Sequence, residues 1–190
     1  MTLVEEPDID FIGAHPTNFA AGRDDISPEA IVLHIAEGSL SGVDSFFNEV
    51  HNEEDGPTSA HFCVGKNGTI HQYVNTADTA FANGIIEEGF TARLIDENAG
   101  INPNKYTISI EHEGESGDEV TLEQRDASTR LTAWLFQNRL FNSGATGVDV
   151  DRDHILRHAD ITPISREDCP GWSEEFIADY IATVRTLLGI

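Results

Sequence analysis

Residues 28–38, PEAIVLHIAEG, decide how the chain is read. Within them Ala30–Ile35 is a short apolar, β-branched run bounded by Pro28 and Gly38, which reads as a buried strand. Strand side chains alternate between faces, so Ile31, Leu33 and Ile35 share one side while Val32, His34 and Ala36 share the other. His34 then stands at the strand end, facing a cleft. Two partners for it lie far along the chain, His158 and Cys169 in the segment RHADITPISREDCPGW, residues 157–172. A His/His/Cys set suits Zn2+, because imidazole and thiolate are both good ligands and three protein ligands leave one tetrahedral position open for water. An open position points to catalysis rather than scaffolding.

The frame around that strand is one globular domain. At 190 residues and 39% hydrophobic side chains the chain can bury one good core and is short for two. We expect a single domain over residues 1–190, with a core over about 28–188 and an irregular lead over 1–27. The net charge of −23, from 34 acidic against 11 basic residues, argues against nucleic acid or an anionic membrane as partner, since phosphate binding needs clustered Lys and Arg. Lys66 and Lys105 are the only lysines, a composition that suits a salt-rich setting and equally plain solubility. The start, MTLVEEPDIDFIGAHP, has no basic or apolar signal region, and no run approaches a membrane span, so the expectation is a monomer made in the cytoplasm without a signal peptide. Two cysteines cannot build a disulfide framework and would stay reduced there, which leaves Cys169 free to ligate; Cys63, inside a strand, reads as a small buried hydrophobe.

Working outward, strands and helices alternate. Ser41–Val50 reads as a short helix followed by an acidic loop whose patch 53–55 is taken as solvated. His61–Val64 and Thr69–Val74 flank the Asn67-Gly68 turn and predict a β-hairpin. Residues 75–105 are rich in Gly, Asn and acids and read as loop, with one helical turn near Phe90–Leu94; a loop this long in a small domain is often functional. Its Phe81, Asn83 and Phe90 could contact a ligand or equally anchor the loop. Tyr106–Glu113 is the next strand, with Thr107, Ser109 and Glu111 on its polar side and His112 facing away from Glu111. Thr121-x-x-Gln124 is a capping box ahead of a helix carrying Leu131, Trp134, Leu135 and Leu140 and stopped by Gly144. Ser173 caps a last helix whose apolar stripe runs through Phe176, Ile177, Tyr180, Ile181, Val184, Leu187 and Leu188. His15, His51, His71, His112 and His154 are read as surface or edge residues.

The blocks IVLHIAEGS (31–39), SAHFCVGKNGTIHQYV (59–74), TISIEHEG (107–114) and RHADITP…DCPGW, in that order, resemble the zinc-dependent N-acetylmuramoyl-L-alanine amidases of the type-2 amidase family, which includes phage endolysins and the peptidoglycan recognition proteins. The likeness covers roughly residues 28–175. It implies a single α/β domain with a mixed central β-sheet flanked by helices, zinc held by His34, His158 and Cys169, and a glutamate, Glu111, that assists the zinc water. The implied reaction is hydrolysis of the amide between N-acetylmuramic acid and L-alanine in peptidoglycan.

Two positions depart from the family pattern. Many relatives carry Lys two residues before the third ligand, where this chain has Glu167, and some carry Tyr where it has Ala60. Arg166, one place earlier, could serve as oxyanion donor; so could His61, which shares a strand face with Cys63 and would reach the cleft if that face matches that of His34. The third-position Cys and the TISIEHEG strand look more like lysin domains, acting on the wall after release. The alternatives are a cytoplasmic recycling amidase acting on soluble anhydro-muropeptides and a non-catalytic muropeptide-binding module of the same fold.

Overall fold

The computed structural model describes residues 3–51, 56–140 and 149–190. In chain order the elements are β1 (Asp10–Phe11), β2 (Phe19–Ala20), β3 (Ala30–Leu33), α1 (Leu40–Asn48), β4 (Phe62–Val64), β5 (Ile70–Gln72), β6 (Thr79–Ala80), α2 (Arg93–Glu97), β7 (Thr107–His112), α3 (Leu122–Leu135), β8 (Ile155–Arg157) and α4 (Glu174–Leu188). Six strands form one mixed sheet in the order β1-β5-β4-β7-β3-β8, and β2 pairs with β6 in a separate antiparallel ribbon. Only the β4–β5 hairpin is antiparallel within the large sheet; β4, β7, β3 and β8 run parallel. The buried strand read around His34 is β3, lying between β7 and β8, with all its residues buried.

Alternation divides the core as the period of two requires. Ile31 and Leu33 of β3, Phe62 and Val64 of β4, and Ile108 and Ile110 of β7 pack with Leu131 and Leu135 of α3 and Ile177, Tyr180, Val184 and Leu188 of α4. On the other face Ala30 and Val32 pack with Leu94 and Ile95 of α2, while Val43 and Phe47 of α1 cover Cys63 and Tyr73. Helices therefore flank a mixed central sheet on both faces, the architecture expected from the blocks of sequence. Ser39 caps α1, Thr121 caps α3 and Ser173 caps α4, each hydroxyl accepting from an N–H of the first turn. The capping box at α3 forms only by half. Gln124 turns instead to the sheet, where its side-chain amide donates to Val64 O and Glu113 O, 2.9 Å each.

The lead and the long loop hold more structure than their composition suggests. β1 pairs parallel with β5 at the sheet edge, and β2 and β6 tie the lead to residues 79–80. Strands of two residues are too short to show alternation, so nothing in the pattern marks them. Arg23 pins the lead further. Its buried guanidinium donates to the carbonyls of Thr76, Asn104, Lys105 and Thr107 and to His61 Nε2, so one side chain gathers the lead, the loop and β7. The helical turn expected near Phe90–Leu94 forms three residues later, as α2. Gly144 and the acidic patch 53–55 lie outside the described residues. Among the described residues no helix is long and apolar enough to cross a membrane.

Candidate metal centre and active-site cleft

Three neighbouring parallel strands end at one place. β8 stops at Arg157 and the next residue is His158; β3 stops at Leu33 and the next is His34; β7 carries Glu111 next to its end. The registers Leu33↔Arg157 and Leu33↔Ile110, carried on by one residue, bring the three side chains side by side. The crevice beyond the carboxyl ends of parallel strands is where α/β sheets collect ligands, because loops there converge around free strand ends. Cys169 reaches the same point from the loop before α4. Its carbonyl accepts from Ala159 N–H, and its sulfur accepts from Ile35 N–H at 3.4 Å, so the loop is laced to the residues that follow each histidine.

His34, His158 and Cys169 offer ligand atoms all within 4.8 Å of one another, and all three are buried. His34 Nδ1 lies 3.0 Å from His158 Nδ1 and 4.0 Å from Cys169 Sγ. Around a tetrahedral zinc, bonds of about 2.0–2.1 Å to nitrogen and 2.3 Å to sulfur imply donor separations of roughly 3.3–3.7 Å, so the spacing fits the ion with small adjustments. The protonation chemistry fits as well. Burial, reinforced by their mutual repulsion, holds His34 well below the ordinary histidine value, and burial brings His158 down to about 4, so both rings are neutral ligands at pH 7. The His158 proton is placed by its contact with Asn83 O, 3.2 Å from Nε2, which leaves the Nδ1 lone pair directed at the cluster. Burial, with Glu111 nearby, pushes the Cys169 thiol up to about 12, so a cation is needed to draw out the thiolate. Among the described residues the cluster has no fourth His, Cys, Asp or Glu ligand.

Glu111 stands beside this cluster, with Oε1 3.9 Å from His34 Nδ1 and Oε2 buried without a hydrogen-bond partner. Burial raises its carboxyl to about 8; Arg166 opposes the shift and Glu37 adds to it. A cleft of about 720 Å³ opens over these groups, walled by Val43, Phe46 and Phe47 of α1 and by the 164–169 loop. Arg166 lines that cleft and is exposed, and its charge is felt by His34, His158, Glu111 and Cys169 alike. Glu167 and Asp168 line the rim beside it.

His61 is the sequence-predicted site residue that the fold does not bring in. Its face matches that of His34, as the condition required, but its row does not. Cys63 pairs with Glu111, so His61 falls one pleat earlier, opposite Ser109, deep under the loop. There its ring contacts Arg23 Nη2 at 2.7 Å and Ser109 Oγ at 3.0 Å, and it is absent from the cleft wall. Cys63 is buried, as read. Glu113, on the Glu111 side, accepts from Leu40 N–H and Lys66 N–H and so ties α1 to the hairpin turn.

Two residues near the centre escaped the sequence reading. His112 is fully buried rather than at the surface. One ring nitrogen meets the carbonyl of His34 at 2.8 Å, the other meets Ser128 Oγ at 2.7 Å, and the chain continues through Tyr180 Oη to Thr132. The signal was present: His112 alternates onto the face of Ile108 and Ile110, which helices cover, and a histidine there must find partners. Asp160 is buried too; its carboxylate accepts from Arg157 N–H at 2.7 Å and from the guanidinium of Arg152, and it holds the turn that carries His158.

Comparison with known proteins bears on the fold and the family. No curated protein matches the chain. Among solved structures it is similar to a selenomethionine AmpD derivative (20% identity, 99% of each chain, TM-score 0.69), to the endolysin N-acetylmuramoyl-L-alanine amidase LysCS from Clostridium intestinale URNW (18% identity, 98% of this chain and 99% of that one, TM-score 0.62), and to the catalytic domain of XlyA (16% identity, 94% and 99%, TM-score 0.60). At such identities the likeness is one of fold. The model of the N-acetylmuramoyl-L-alanine amidase family matches residues 24–172, which contain β3, β7, the segment after β8 and all of the cluster. The chain belongs to that family, and its activity is that of a peptidoglycan amidase.

Proposed function

We propose that the chain is a zinc amidase of lysin type, with His34, His158 and Cys169 as the metal ligands, Glu111 as proton carrier and Arg166 as oxyanion donor. The single observation that carries this reading is the convergence of two imidazoles and a thiol within 4.8 Å, at the open end of three parallel strands and next to a buried carboxyl. Zinc, when bound, would supply Lewis-acid polarisation of the scissile carbonyl and acidification of a water molecule. Glu111 does the rest of the proton work. It takes the proton of the attacking water and returns it to the leaving L-alanine amine, and a carboxyl raised by burial toward neutral pH is suited to both directions. Arg166, projecting into the cleft from the loop that also bears Cys169, stabilises charge developing on the lactyl oxygen. The substrate lies along the cleft, whose apolar wall on α1 and charged wall on the 164–169 loop suit an amphipathic sugar-peptide chain.

The lysin role rests on the Cys at the third ligand position and on the TISIEHEG strand. An anionic wall would repel a chain of charge −23 except where salt screens it, the Debye length falling to about 3 Å near 1 M. Zinc analysis together with turnover of intact sacculi against soluble anhydro-muropeptide tests the proposal. We expect about one zinc per chain, loss of activity on chelation and its return with zinc, and cleavage of sacculi. Activity that survives chelation would overturn the metal mechanism, and strict preference for the soluble muropeptide would make this a recycling enzyme. The chain is taken to act as a monomer, which sedimentation of the zinc-loaded protein checks.

A further inference from the structure

Asn83 lies just after β6, in the segment that its sequence leaves open between ligand contact and anchorage, and it is fully buried. Its backbone N–H donates to Asn104 Oδ1 at 2.9 Å, its side-chain Nδ2 donates to Thr107 Oγ1 at 2.8 Å, and its backbone carbonyl accepts from His158 Nε2 at 3.2 Å. The Thr107 hydroxyl donates to Pro103 O, so it can only accept from the amide, and this fixes which end of the carboxamide is engaged there. The end left over is Oδ1. It completes no hydrogen bond, and neither does His34 Nε2, which is also buried. The two imidazole rings stand 4.4 Å apart, centroid to centroid, with Nδ1 facing Nδ1 at 3.0 Å, so each Nε2 is turned away from the common point, and of the two it is His34 Nε2 that lacks an acceptor.

A histidine that ligates a metal through one ring nitrogen carries its proton on the other, and that N–H needs an acceptor to fix the tautomer and the ring plane. His158 has one in the Asn83 carbonyl. We propose that Asn83 is the positioning residue shared by both imidazole ligands, its main-chain carbonyl orienting His158 and its side-chain oxygen orienting His34, so that each Nδ1 turns to the common point. This rests on reading His34, His158 and Cys169 as a metal site. Glu111 and Arg166 act on substrate; Asn83 acts only through the histidines.

The test is zinc affinity, measured by competition with a chromophoric chelator, on the wild-type chain and on Asn83→Ala and Asn83→Asp. Alanine removes the oxygen and is expected to weaken zinc binding about 10- to 100-fold. Aspartate keeps an acceptor for His34 while losing the donor to Thr107, so it should bind zinc within about threefold of wild type even where its metal-free melting temperature falls. That split separates orienting a ligand from bracing a loop. Wild-type affinity in Asn83→Ala, or a loss in Asn83→Asp as large as in Asn83→Ala, overturns the role of Asn83, whereas a wild-type chain that takes up no zinc overturns the metal-site reading itself. Should Asn83→Ala not fold, proton–nitrogen correlation spectra of the zinc-loaded wild-type imidazoles decide: both His34 and His158 must carry their proton on Nε2, and a proton on His34 Nδ1 refutes the proposal.

Discussion

Replacing His61 by Gln should remove a pH dependence from the stability of this fold while leaving the reaction untouched. The ring is buried against the Arg23 guanidinium, and burial first, then Arg23, bring its pKa down from 6.5 to about 3, while the contact with the Asp78 carbonyl acts in the opposite direction. A folded-state pKa below the unfolded value means that the unfolded chain takes up the proton first. The contribution of His61 is therefore whole above pH 6.5 and is lost as pH falls toward 3. Between pH 6.5 and pH 4 the loss spans 2.5 units, and at 1.36 kcal/mol per unit this is about 3.4 kcal/mol. Gln does not titrate, yet its amide oxygen can accept from Arg23 where the ring stood. Urea unfolding of the two metal-stripped proteins at pH 7, 5.5 and 4 gives the difference in stability at each pH, and the other histidines and the 34 acidic residues cancel in that difference. The wild-type advantage at pH 7 should shrink by about 3 kcal/mol by pH 4 and can change sign. A difference constant within about 0.5 kcal/mol would refute the argument, because it would mean that the ring already titrates freely in the fold. Turnover by the zinc-loaded variant at pH 7 should stay within about threefold of wild type, since the ring lies one pleat away from the cleft; a larger loss would restore His61 to the catalytic set.

Glu111→Ala should keep its zinc and lose about 10²- to 10⁴-fold in kcat, the range for a positioned proton carrier; full turnover by that variant removes Glu111 from the mechanism. Arg166→Ala should lower kcat about 100-fold with a smaller change in KM, and Arg166→Lys should recover part of it; an unchanged rate clears Arg166 of the oxyanion role. His112→Phe fills similar volume but leaves the His34 carbonyl without its donor and cuts Ser128 from the ring, so denaturant unfolding of the metal-free protein should show a loss of about 2–4 kcal/mol, and a loss under 1 kcal/mol would mean that water replaces the ring.

What could be read before folding was whatever carries a period or a punctuation mark. β3, the hairpin at Asn67-Gly68, β7, α3 and α4 each declare themselves by alternation, by a turn dipeptide or by a cap and a stripe, and each stands within a few residues of its expected place. β1, β2 and β6 have two residues apiece and no pattern to show; they exist because β5 and each other supply partners, which is a tertiary fact. Arg23 was invisible for a related reason. In sequence it is one cation in an irregular lead, and only the fold reveals four carbonyls and an imidazole around it.

The site divides along the same line. Periodicity assigned faces correctly to His34, Glu111, His61 and Cys63, but a face is not a position, and chemistry needs the row. Rows are set by strand register, which places Glu111 beside His34 and drops His61 a pleat earlier; no single strand holds that information. Cys169 is the stricter case, since it belongs to no strand. Its sulfur arrives opposite His34 because its loop is fastened on both sides: Ala159 N–H to its own carbonyl, Ile35 N–H to its sulfur, and Ser116 Oγ to the carbonyl of Asp168 just before it. The two fastenings through Ile35 and Ala159 come from residues immediately following the histidine ligands, so whatever places the imidazoles also places the thiol. The three donor atoms thus converge through one connected set of hydrogen bonds, and a change that shifts the end of β3 or β8 should loosen all three ligands together rather than one at a time.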